Sequence, residues 1–65
     1  MTKLRDLERH LRAQGCTLLR EGAKHSVWLN PRTERRTTVP RHREIPPTTA
    51  RVICKQLGVP DLDQP

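Results

Sequence analysis

The chain holds one aromatic residue, Trp28, and neither tyrosine nor phenylalanine, so it lacks the flat apolar walls that line a nucleotide-cofactor or haem pocket. Apolar residues fill 32% of its 65 positions, and the mean hydropathy is -0.83. A body of this size buries only about 60% of its unfolded surface, leaving little hydrocarbon to enclose a cavity. Any chemistry therefore belongs on a surface, and no cofactor is expected. Long hydrophobic runs are missing as well. Nothing approaches the roughly 20 apolar residues of a membrane span, and the opening stretch MTKLRDLERH has no uninterrupted apolar core of a signal peptide, so the expected location is the cytoplasm.

Cysteine is scarce too. Cys16 and Cys54 stand far apart, without a second cysteine or histidine at the short spacings of structural zinc, leaving either one disulfide or two reduced, half-buried thiols. Acidic residues number seven, and most are scattered: Asp6, Glu8, Glu21, Glu34 and Glu44 are spread along the chain among different elements. Asp61 and Asp63 are close in sequence but lie in the tail, so clustered carboxylates for a two-metal nuclease centre are not expected. Neither a Gly-rich phosphate loop of the Walker type nor an activated cysteine is present, which removes ATPase, kinase and thiol-hydrolase chemistry.

What is present is positive charge. Thirteen Lys and Arg give a net charge of +6, a field that attracts phosphate over much of so small a surface. A polyanion is the first partner to consider, against the alternative that the charge serves solubility alone.

Apolar Leu4, Leu7 and Leu11 recur at helical spacing, with Thr2 available to cap the helix and Gly15 to end it. His10 falls on the polar face and receives no role. Residues 16–20 and 26–29 read as strands around a turn containing Gly22, and residues 36–39 as a third strand ending at Pro40. Pro46-Pro47 precedes a second helix, with Thr48 or Thr49 as its cap. Ala50, Ile53, Cys54 and Leu57 form that helix's apolar face, and Gly58 stands where a left-handed residue ends it. The order α-β-β-β-α makes an α+β fold, a three-stranded antiparallel sheet with both helices on one face, as in double-stranded RNA-binding domains. Residues 1–58 are expected to form one domain, with residues 59–65 as a frayed tail.

Two clusters remain for function. His25 stands at the turn between the first two strands, on the same strand face as Val27 and Leu29. Imidazole titrates near about 6.5, so it can take a proton from a ribose 2′-hydroxyl or give one to a leaving 5′-oxygen without a metal. Lys24 beside it would favour neutral imidazole and bind phosphate. The alternative is a solvent-facing or half-packed histidine. The second cluster, Arg41-His42-Arg43, suits either phosphate contact or a charged connector into the last helix. Trp28 is open to two readings, stacking on a base or packing in a core.

Gly15, Gly22-x-Lys24-His25 leading into Val27-Trp28-Leu29-Asn30-Pro31, then Val39-Pro40-Arg41-His42, and Ala50-Arg51-x-Ile53-Cys54-Lys55-Gln56-Leu57-Gly58 resemble, in order and spacing, the HicA toxins, also called YcfA-type mRNA interferases. The resemblance covers nearly the whole chain. It implies a double-stranded RNA-binding-like fold, a toxin that cleaves messenger RNA to arrest translation, and a HicB antitoxin that binds the toxin in a hetero-oligomer and blocks its active surface. It also places the family's catalytic histidine on His25. Many members carry a small or amide residue where this chain has Lys24, and Gly22 stands one step further from the histidine than in the Gly-Ser-His form. His42 matches the Val-Pro-x-His element as a candidate for RNA contact or anchoring. Lys24, Arg41 and Arg43 are the remaining candidate RNA-binding residues, and no metal ligand is expected. A non-catalytic RNA-binding module and an adaptor for an acidic protein are the rival readings.

Overall fold

The computed structural model describes residues 2–62 of the chain. Its elements run β1 (Thr2–Lys3), α1 (Leu4–Ala13), β2 (Thr17–Glu21), β3 (His25–Asn30), β4 (Arg35–Pro40), β5 (Glu44–Ile45) and α2 (Pro47–Leu57). Strands β2, β3 and β4 form the expected antiparallel sheet in that order. The second sheet, β1 paired with β5, is not foreshadowed by the sequence. Two-residue strands are too short to show an alternating pattern.

Alternation along β3 divides the sheet into two faces. Ser26, Trp28 and Asn30 are buried, Val27 and Leu29 are half-buried, and His25 is exposed. Thr37 and Val39 join the buried set from β4. The core then comprises Leu7 and Leu11 of α1, Cys16, Trp28, Val39, Ile45, and Ala50, Ile53, Cys54 and Leu57 of α2. Both helices thus contribute their apolar stripes to one core against one side of the sheet, as the spacing of those residues predicts. Trp28 is fully buried, with Nε1 donating to Ser26 Oγ at 3.2 Å and Ser26 Oγ donating on to the Val39 carbonyl at 3.4 Å. The Arg12 guanidinium lies 5.2 Å from the indole ring centroid. Base stacking on Trp28 is therefore ruled out.

The helix ends depart from expectation. Thr2 does not cap α1: it pairs with Ile45, Lys3 holds the cap position without a side-chain bond, and the Leu4 amide donates to the Arg43 carbonyl at 3.0 Å. Neither Thr48 nor Thr49 caps α2, because Pro46 stands at the cap and Pro47 begins the helix. Proline suits that first position, since its fixed φ is helical and the amide it lacks would have no partner. At the other end Gly58 adopts φ 74°, as expected of a left-handed cap. The hairpin between β3 and β4 completes this end: Asn30 Nδ2 and Thr33 Oγ1 both donate to the Leu57 carbonyl, at 2.7 and 3.2 Å. An acceptor that the helix leaves open is thereby satisfied from the sheet.

Residues 59–62 have no regular secondary structure, yet they are docked rather than frayed. Val59 packs on the core, the Pro60 carbonyl accepts from His10 Nε2 at 2.6 Å, and Asp61 lies 3.7 Å from Arg51. His10, assigned no role from sequence, ties this segment to α1. The rest of the tail, residues 63–65, lies outside the described residues.

Candidate functional site

The turn that carries His25 is built mainly from backbone. The Gly22 amide donates to the His25 carbonyl at 2.8 Å, closing the connection between β2 and β3. A Cβ on residue 22 would lie 2.9 Å from that carbonyl oxygen, so the approach requires glycine. On the other side His25 is paired with Pro40, and the Arg41 amide donates to the Lys24 carbonyl at 3.0 Å. The start of β3 is thus stapled to both neighbouring segments, and the imidazole projects from a fixed backbone while remaining exposed. It has no salt-bridge partner among the described residues.

Of the five residues singled out from sequence, three meet here. Lys24 is exposed beside His25, and Arg41 reaches back over the turn, with one terminal nitrogen donating to the Gly22 carbonyl at 2.7 Å and the other 3.3 Å from Glu21 Oε1. The guanidinium braces the turn in addition to adding charge. The sequence alone reads Arg41 only as a cation, because its partners lie in another strand. His42 follows in the exposed connection to β5. Arg43 is exposed in a different setting, lining a shallow groove with Lys3, Leu4, Arg5, Glu8 and Glu44. The five candidates thus resolve into His25 and Lys24 on the turn, Arg41 as its brace, His42 in the connection that follows, and Arg43 beside the start of α1.

Among the described residues no three His, Cys, Asp or Glu side chains gather as a metal site. Asp63 lies outside the described residues, and Asp61 is engaged with Arg51. No described helix is long and apolar enough to cross a membrane.

Both cysteines are free and buried. Burial pushes the Cys16 thiol above its ordinary value of 9.0, and burial reinforced by the negative charge of Asp61 does the same for Cys54. Neither is poised as a nucleophile. Because the folded thiols hold their protons more tightly than the unfolded ones, their contribution to stability is complete below about pH 9 and declines as pH rises through the folded values. The urea midpoint is expected to fall between pH 8 and pH 10.5, and part of that fall should vanish when both cysteines are replaced by alanine. Identical pH dependence in the two proteins would contradict the assignment.

In comparisons with known proteins, residues 4–59 match the family model described as HicA toxin of bacterial toxin-antitoxin. No curated protein and no solved structure matches the chain significantly.

Proposed function

The chain belongs to the HicA toxin family, and from that membership we propose that it is a metal-independent endoribonuclease that cuts messenger RNA and arrests translation. The observation that carries the reading is the exposed His25 imidazole on a turn held by backbone bonds to two neighbouring segments, beside Lys24 and under the Arg41 brace. In this account His25 accepts the proton of a ribose 2′-hydroxyl as that oxygen bonds to the adjacent phosphorus. The bond from phosphorus to the 5′-oxygen breaks, and the proton returns to the departing oxygen. The products carry a 2′,3′-cyclic phosphate and a 5′-hydroxyl. Lys24 offsets charge on the phosphorane, and His42 and Arg43 hold flanking phosphates. Arg41 acts chiefly through the turn it braces, and its remaining donors add to the local field.

The biological setting that follows is a cytoplasmic toxin restrained by a HicB-type antitoxin, which would cover this turn in a hetero-oligomer.

Incubation of the purified chain with RNA in excess EDTA tests the reading. Cleavage is expected to persist, with cyclic phosphate ends, and DNA of the same sequence is expected to bind without being cut. Cleavage that EDTA abolishes would overturn the metal-independent mechanism, and absence of cleavage with and without EDTA alongside retained RNA binding would favour the non-catalytic binding module.

A further inference from the structure

The helix-free face of the sheet is uncovered among the described residues, and the strand register fixes its composition. Directly paired residues share a face. His25 therefore lies with Pro40, Val27 with Arg20 and Thr38, and Leu29 with Thr17 and Arg36. No Asp or Glu occupies any of these positions. Glu21 pairs with Ser26, whose side chain points to the core, so the nearest acid of β2 belongs to the opposite face. Arg20 and Arg36 stand diagonally across the sheet, about 12 Å apart at the backbone on ordinary strand spacings. Val27 and Leu29 lie between them, half-exposed, on the strand that begins at His25.

We propose that this face is the track for the RNA strand flanking the cleavage point, with Arg20 and Arg36 taking backbone phosphates and Val27 and Leu29 supporting unstacked bases or riboses. The inference rests on the endonuclease reading for the identity of the strand. Two physical arguments select single-stranded RNA. Arginines with no intervening acid complement a phosphate chain, and the face continues directly from the imidazole. A duplex would offer the aliphatic residues only phosphates and hydroxyls, whereas an open strand offers bases whose faces are apolar. An open strand also bends freely enough to align its 2′-oxygen with the bond being broken.

The test uses full-length protein carrying His25→Ala, so that RNA is bound and not consumed, and compares it with the same protein carrying Arg20→Gln and Arg36→Gln. Binding of a fluorescent 12-nucleotide oligouridylate is followed by anisotropy from 50 to 300 mM salt. The two substitutions are expected to weaken binding roughly tenfold at 0.1 M salt. The slope of log affinity against log salt should become shallower by about 1.4, the value for two single-strand phosphate contacts. Binding of uridine trinucleotide should be unchanged, and Arg20→Lys with Arg36→Lys should retain most of the salt slope. Trp28 emission verifies the fold of each variant. An unaltered affinity and slope for the 12-mer would overturn the proposal. So would equal, arginine-dependent binding of a 12-base-pair RNA duplex, or arginine-dependent binding of a glutamate-rich peptide in place of the 12-mer. Failure of the parent reading is scored separately: protein with His25 intact that leaves the 12-mer uncut removes the nuclease, while the arginine dependence still reports the track.

Discussion

His25→Ala protein is expected to lose about 10²–10⁴-fold of its RNA cleavage rate and to release cells from growth arrest, the range typical of removing a positioned acid-base group. The side chain is exposed, and the bonds that fix the turn run through the His25 carbonyl, the Lys24 carbonyl and the amides of Gly22 and Arg41. None of these is removed by the substitution. Folding should therefore stay within about 0.5 kcal/mol of the parent, the usual range for a surface change. Trp28 is the sole tryptophan and fully buried, so an unchanged emission maximum and urea midpoint establish that the core has survived. Cleavage at the parent rate by such a protein would dispose of the histidine mechanism.

Trp28→Ala should act in the opposite way, through stability. A buried tryptophan truncated to alanine costs about 3–5 kcal/mol, the sum of lost transfer energy and the cavity left behind. A domain of this length has roughly 3–10 kcal/mol in total. The indole also receives the Arg12 guanidinium, and its Nε1 donates to Ser26 Oγ, whose hydroxyl continues to Val39. The variant is expected to be largely unfolded at 37 °C by circular dichroism and to lose binding and cleavage together. Trp28→Phe, which keeps most of the apolar volume but loses part of the ring system together with the Nε1 donor, should fold with a lowered melting temperature. A cooperative melt for the alanine variant within a few degrees of the parent would show that the core does not depend on this ring.

These two residues also show what the amino-acid order reveals. The period of Ala50, Ile53, Cys54 and Leu57 marks one face of a helix, and all four are buried. The parity of β3 likewise separates His25, Val27 and Leu29 from the buried Ser26, Trp28 and Asn30. Periodicity survives folding because it is local. By contrast, the pairing of Thr2 with Ile45 and the reach of Arg41 to Gly22 and Glu21 join positions distant in the chain, and no local pattern announces them. His10 follows the same rule: its partner is the Pro60 carbonyl, a backbone atom fifty residues away. Within the candidate site, the histidine and its face were readable from the chain, while the brace and the separation of Arg43 from the turn depended on tertiary structure. Neither helix takes its expected N-terminal cap, because the chain path into each helix is set by a proline or by β1 rather than by a nearby hydroxyl.

The contact between residue 22 and the His25 carbonyl has a consequence for divergence. A methyl group there would collide with main chain that has nowhere to yield, whereas Ala23 and Lys24 are both exposed. Mutation can recolour the two intervening positions, altering charge and bulk beside the imidazole, without shifting the ring itself. Such a segment can take on new charge and bulk while the placement of its imidazole is inherited intact, and in this chain residue 22 is the position that the close approach reserves for glycine.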